Sequence, residues 1–252
     1  MRGVGVAFAL MLISGCASMG GRSTPPASGV PGTAGVAGAA GVPGAAGANA
    51  GTAGTNTGTA GANAAGSVEQ YAAVIKANSD RSDHESDGKV RAELAAQSTG
   101  AADACLALDS AAAACQYGKA VATGMEARTH PTKAVGLLSS MLQNLNAAEA
   151  ADPNYDKGGP SRVRALVLLR APGWPLGPGD ADAGLVAARK AVSLQPDYPP
   201  NLLALAEALS KTGDGKGAHD GYQHALDLAQ ALPPGPERDE WVHDAQDGLA
   251  QK

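Results

Sequence analysis

The chain has 252 residues, of which 34 are glycine and 16 are proline, and it carries a formal net charge of −5. These two residue types make up about 20% of the chain, against a usual sum near 12%, and their excess is concentrated before residue 66. The 186 residues from Ser67 onward hold 17 basic and 24 acidic side chains, hence a net charge of −7. This balance argues against nucleic-acid binding, which needs clustered lysine and arginine.

The N-terminus has a basic start and an uncharged apolar run over residues 4–13, which is too short to span a bilayer and is typical of a secretory signal. The five residues that end at Cys16, Leu-Ile-Ser-Gly-Cys, resemble the lipobox of bacterial lipoproteins. The resemblance implies a signal peptide over residues 1–15 and an acyl anchor, such as palmitate, on Cys16. It also implies a place in the bacterial cell envelope, at the outer membrane facing the periplasm. The alternative is a plain signal peptide with an incidental cysteine.

A low-complexity linker follows over residues 16–66. From residue 23 to residue 66 it has no charged residue, no aromatic residue and no leucine, so it cannot form a core. Glycine recurs at every third position from Gly29 to Gly47, but only two prolines fall within those triplets, whereas a collagen triple helix has many. A flexible spacer with a root-mean-square reach of about 35–40 Å is the favoured interpretation, and the triple helix is the alternative.

The remaining residues, 67–252, have apolar residues at helical spacing. Threes and fours separate the members of three clear runs: Val68, Tyr71, Ala72 and Ile75; Val135, Leu138, Met141, Leu142 and Leu145; Leu202, Leu205, Ala206 and Leu209. Proline and glycine clusters separate these runs, and no stretch alternates as a strand does. We therefore predict an all-α domain of about eight to ten helices.

The second half of this domain contains a repeat. Three positions recur 34 residues later: Gly184, Ala188 and Ala191, followed by Ala218, Tyr222 and Ala225. This spacing resembles the tetratricopeptide repeat, and Pro196 stands where its second helix would end. Pro153 has the same surroundings at an interval of 43, so about nine residues are inserted between these units. Stacked helical hairpins would form a solenoid with a concave binding surface, whereas the alternative is an unrelated helical bundle.

The insertion carries the most distinctive sequence. Residues 158–180 read GGPSRVRALVLLRAPGWPLGPGD, and they are followed by the turn PDYPPN at residues 196–201. Over residues 152–214 this text resembles the T component of TRAP transporters, a family of exported tetratricopeptide-like lipoproteins associated with solute uptake. The likeness is weaker over residues 105–152 and 215–241. Arg164 and the two residues after it depart from the small pair that the family more often has there, which puts a close backbone approach in doubt.

Five residues of this region form the candidate binding set: Arg162, Arg164, Arg170, Trp174 and Tyr198. Arginine binds carboxylates through two parallel hydrogen bonds, so the three arginines could form an anion site. Tryptophan and arginine also dominate the binding energy of protein interfaces.

A structural role is the alternative for the same residues. Arg162 and Arg170 would then pair with nearby acids such as Asp152, Asp156 or Asp180 and hold the loop, and Trp174 would cover the end of the solenoid.

Cys105 and Cys115 remain as a pair once Cys16 is acylated, and a disulfide is expected in an oxidising compartment. In one unbroken helix they would lie about 15 Å apart, so the bond requires a break between them. Asp109 or Ser110 would provide it as the N-cap of a new helix. Two buried free thiols are the alternative.

No catalytic or metal-binding pattern is recognisable, and no cofactor is expected. The histidines at 84, 130, 219, 224 and 243 lack ligand spacing, and the glycine-rich turn at residues 213–217 lacks the ending of a phosphate loop. We therefore predict no enzyme, but a lipid-anchored binding or adaptor protein that works with a TRAP-type uptake system. Its partner would be a solute-binding protein or another envelope protein, and oligomerisation is compatible with the sequence. The alternative is an envelope scaffold that mediates protein–protein interactions without a small-molecule ligand.

Overall fold

The computed structural model describes residues 66–251; the signal peptide, Cys16 and most of the linker lie outside the described residues. Nine α-helices and two short 3-10 helices, at Pro131–Lys133 and Tyr155–Lys157, make up this part of the chain, and no strand occurs in it. The helices are α1 Val68–Asp83, α2 Gly88–Leu108, α3 Ala113–Thr129, α4 Ala134–Ala151, α5 Gly159–Arg170, α6 Ala181–Leu194, α7 Pro199–Lys211, α8 Gly215–Gln230 and α9 Pro236–Ala250. The all-α prediction is confirmed.

The helices form antiparallel hairpins that stack along the chain. Each helix packs against the next one, and the first helices of successive hairpins also contact each other, α1 with α3, α5 with α7, and α7 with α9. We call the side formed by the odd-numbered helices the inner face. Lys76 of α1 lies 3.5 Å from the carboxylate of Glu237 on α9, so the two ends of the array meet across this face. The tetratricopeptide-like arrangement predicted from the repeat is confirmed.

The helix boundaries follow the predicted register. α6 and α8 begin 34 residues apart, and their recurring positions are buried. α4 and α6 end at Ala151 and Leu194, each two residues before the prolines Pro153 and Pro196. Proline cannot continue a helix because it lacks the N–H group and its ring clashes with the preceding turn. Alanine is the commonest residue of the buried core, so the helices approach each other closely.

The break between Cys105 and Cys115 exists, but its capping differs from the prediction. α2 ends at Leu108, Asp109 is its C-cap, and Ala112 is the N-cap of α3. The carboxylate of Asp109 accepts hydrogen bonds from the N–H groups of Ala111 and Ala112, so neither Asp109 nor Ser110 caps α3 as predicted. The sulfur atoms of the two cysteines are bonded across this turn, with 5.3 Å between their Cα atoms.

Candidate functional site

A shallow groove opens on the inner face between α1 and α3. We call it the inner groove; it has a volume of about 290 Å³, which includes the part open to solvent. Its walls are largely apolar, and they consist of Ala72, Ile75, Lys76, Ala114, Tyr117, Gly118, Val121 and Tyr155. None of these residues belongs to an even-numbered helix, so the groove lies on the inner face.

Lys76 is the charged residue of the inner groove. Its ammonium group donates to Asp80 one turn further along α1, at 2.6 Å, and to Glu237 on α9, at 3.5 Å. Burial lowers the pKa of Lys76, but the two carboxylates outweigh this effect and its pKa is raised. Lys76 therefore stays charged at the rim of an otherwise apolar groove.

A buried polar cluster lies behind the groove. It consists of Tyr117, Asp156, Arg162 and Asn201, and we call it the Arg162 cluster. Arg162 is 1% exposed and donates to the Asp156 carboxylate at 2.8 Å and to the Asn201 side-chain oxygen at 3.0 Å. The Tyr117 hydroxyl donates to the same carboxylate oxygen at 3.0 Å. The cluster therefore joins α3, α5 and α7 to the short 3-10 helix before α5.

Electrostatics within the Arg162 cluster depend on this pairing. Burial raises the pKa of Asp156 above its ordinary value, and the Arg162 guanidinium and the Tyr117 hydroxyl lower it in part. Burial also raises the pKa of Tyr117 well above its ordinary value. A buried carboxylate of this kind is stable only beside its partner cation.

The backbone before α5 adopts a conformation that few residues favour. Asp156, Lys157 and Gly158 have φ angles of 49°, 56° and 79°, in the left-handed region. Asp tolerates this region better than most residues because its short side chain bonds locally, whereas Lys does not. The turn directs the Asp156 carboxylate into the cluster, so the ion pair and the strained turn depend on each other.

Tyr198 extends the cluster toward the last helix. Its ring lies 5.3 Å from the Arg162 guanidinium carbon and 4.4 Å from the Lys157 ammonium group, and it meets the ring of Trp241 edge-on at 5.5 Å. Tyr198 is buried, and burial raises its pKa to about 12. It therefore serves packing and cation–π contact.

The three arginines of the insertion do not converge on one site. Arg162 is buried and pairs with Asp156, so the alternative that it holds the loop is what the structure shows. Arg164 pairs with Glu149 at 3.2 Å, and Arg170 makes a bidentate contact with Glu207. The predicted anion site is therefore wrong. Glu207 on α7 is not one of the nearby acids considered for Arg170.

Trp174 lies at the surface, in the loop between α5 and α6. Its side chain is 90% exposed, and Leu176 beside it is 73% exposed. The alternative that Trp174 covers the end of the solenoid is therefore wrong. The other tryptophan, Trp241, is 8% exposed and packs on Tyr198.

Sequence reasoning missed the inner groove and two members of the cluster behind it. Tyr117 and Asn201 lie 39 positions from the residues they contact, Asp156 and Arg162, so no local pattern links them. One signal was present, because two turn-forming glycines follow Asp156 and Lys157 directly.

Two further observations concern residues 66–251 as a whole. No helix there is long and apolar enough to cross a membrane. Within the same residues, no group of three or more His, Cys, Asp or Glu side chains is placed to hold a metal ion.

Comparisons with known proteins give similarities of fold. TTC0263, a thermophilic TPR protein of Thermus thermophilus, is 19% identical with a TM-score of 0.49, over 73% of this chain and 93% of that chain. The MamA protein is 17% identical with a TM-score of 0.41, over 67% of this chain and 87% of that chain. No protein-family model matches the chain, and the search of curated proteins found no match.

Proposed function

We propose that this protein is a non-enzymatic adaptor whose inner groove binds an apolar segment of a partner protein. The observation that carries the proposal is the groove itself, an apolar surface on the inner face with one lysine at its rim. Stacked helical hairpins hold such a surface in place because each hairpin fixes its neighbours. The Arg162 cluster supports this role, since it fixes Tyr117 and the turn that carries Tyr155.

The chemistry of the groove defines the partner segment. Its apolar walls favour an apolar side chain, and Lys76 favours an acidic residue or a chain terminus beside it, in exchange for part of its contact with Glu237. The resemblance of residues 152–214 to the T component of TRAP transporters supports a solute-binding protein of such a system as the partner. A lipid on Cys16 would hold the adaptor at the periplasmic side of the envelope.

We expect Ala72→Leu to weaken partner binding by at least about tenfold, or about 1.4 kcal/mol. Ala72 lines the groove, and a leucine there fills the space that the partner segment would occupy. The partner is first identified by cross-linking in native membranes and mass spectrometry, and its affinity for the purified chain is then measured by titration.

Ala73→Leu is the matched control, because Ala73 is the next residue on α1, is exposed and does not line the groove. It makes the same chemical change, so it should leave affinity and melting temperature unchanged. Equal affinity of both variants for the partner would reject the groove as the binding site. Capture of a TRAP solute-binding protein by the wild type would support the finer assignment, and its absence among cross-linked proteins would reject that assignment.

The anchor has its own test. We expect Cys16→Ser to abolish incorporation of a fatty-acid analogue, because the thiol is the group that receives the lipid. Metabolic labelling of the wild type and the variant, expressed to the same level, measures this directly. Labelling that persists in the variant would show that the lipobox interpretation is wrong and would leave the groove proposal untouched.

A further inference from the structure

The loop between α5 and α6 presents an apolar tip that the adaptor function does not use. We call residues 171–179 the Trp174 loop; they read APGWPLGPG and contain no charged residue. The side chains at its tip, Trp174 and Leu176, are among the most exposed apolar side chains of the described residues. Exposing them to water has a free-energy cost that burial elsewhere would remove.

The backbone of the loop is fixed by its own hydrogen bonds. The N–H groups of Leu176 and Gly177 donate to the carbonyl oxygen of Gly173, and that of Gly179 donates to Pro172 at 2.8 Å. A Cβ atom at Gly179 would lie 2.1 Å from the Ala171 carbonyl oxygen, so only glycine fits there. Three prolines in the loop have no N–H group. The loop thus holds its tip in place and leaves few backbone donors in need of water.

This composition suits a lipid bilayer better than a protein surface. Protein interfaces surround an aromatic anchor with a polar rim that forms hydrogen bonds. Among the side chains of the loop, the indole N–H of Trp174 is the only polar group. Tryptophan concentrates where membranes meet water, because its ring is apolar and its N–H bonds to the headgroup region.

We propose that the Trp174 loop inserts Trp174 and Leu176 into the interfacial layer of a lipid bilayer and so orients the domain on the membrane. The proposal rests in part on the proposed anchor: two side chains bind a bilayer weakly, and a tether on Cys16 would raise their effective concentration near it. The anchor holds the chain at the membrane, and the loop sets which side of the domain faces it.

Charge does not assist this contact. Asp180 and Asp182 follow the loop directly and are exposed, and the residues from Ser67 onward carry a net charge of −7. Anionic lipids attract basic segments, and this loop has none. Insertion should therefore be as strong on zwitterionic vesicles as on vesicles that contain anionic lipid.

The chain has two tryptophans, so fluorescence can report on the loop. Full-length lipidated protein is reconstituted into phosphatidylcholine vesicles, and its emission is compared with that of Trp174→Phe, which leaves Trp241 as the reporter. The difference between the two spectra isolates Trp174. We expect this difference to shift to shorter wavelength and to be quenched by lipids with bromine near the headgroup end of the chain.

A second measurement removes the anchor. The chain from residue 16 onward, with Cys16→Ser, is titrated with the same vesicles, and Trp174→Ser combined with Leu176→Ser should lower its partition coefficient at least about tenfold. Val135→Ser is the control, because Val135 is a half-exposed apolar residue outside the loop, on α4. It should leave the partition coefficient unchanged.

The outcomes separate the loop from the anchor. If the lipidated protein floats with the vesicles but Trp174 is neither shifted nor quenched, the loop proposal is overturned and the anchor stands. If the loop variant loses capture of a protein partner while Trp174 stays in water, the loop is a protein-docking element and the proposal is likewise overturned. A strong dependence of insertion on anionic lipid would contradict the apolar mechanism.

Discussion

Arg162→Met is expected to lower the free energy of unfolding by about 3–5 kcal/mol, the usual cost of breaking a buried ion pair by removing one partner. The variant would keep most of the side-chain volume but leave the Asp156 carboxylate buried with the Tyr117 hydroxyl as its remaining side-chain donor. It would also take the donor from the side-chain oxygen of Asn201. Urea unfolding followed by circular dichroism measures the loss.

The variant also predicts a dependence on pH. Burial already raises the pKa of Asp156, and Arg162 lowers it in part, so removing Arg162 raises it further. A carboxyl whose pKa is higher in the folded state than in the unfolded state destabilises the fold when it is charged. The deficit of Arg162→Met relative to the wild type should therefore shrink as the pH falls through the folded-state pKa of Asp156.

A double-mutant cycle isolates the pair. Asp156→Asn removes the charge but tolerates the positive φ angle of that position, since asparagine enters the left-handed region readily. Arg162→Met combined with Asp156→Asn should be less destabilised than the sum of the single variants, because no buried charge is left without a partner. Strictly additive losses would show that the two side chains do not depend on each other.

The repeat could be predicted from the sequence because its signals are local. Equivalent positions at an interval of 34, and prolines such as Pro153 and Pro196, act within one or two turns of helix, and the helices begin and end accordingly. The insertion of about nine residues was also detectable, since it changes the interval between equivalent prolines.

The functional surfaces could not be predicted in the same way. Arg162 and Trp174 are both prominent in the sequence, yet one is buried and the other is exposed. The difference depends on Asp156 and Asn201, which reach Arg162 only after the helices have packed. The groove likewise depends on α1 meeting α3, and Lys76 reaches Glu237 across 161 residues. Such contacts leave no periodic signal.

The disulfide is expected to contribute about 3 kcal/mol to stability, by the loop-entropy estimate for a sequence separation of 10. Cys105→Ala combined with Cys115→Ala should lose this amount in urea unfolding. The wild type should lose a similar amount in a reducing buffer, whereas the double variant should not respond to reductant. Two alkylatable thiols in exported, unreduced protein would show that the bond does not form there.

The position of the bond predicts an effect on binding as well. Cys115 lies in the first turn of α3, which has no side-chain cap, and its neighbour Ala114 and the following Tyr117 line the inner groove. Cys105 Sγ lies 3.9 Å from the Val68 carbonyl oxygen, at the start of α1. Without the bond, the first turn of α3 should fray and that end of the groove should open. Reductant should therefore weaken partner binding by the wild type at concentrations of urea that leave the domain folded, and it should have no effect on binding by the double variant.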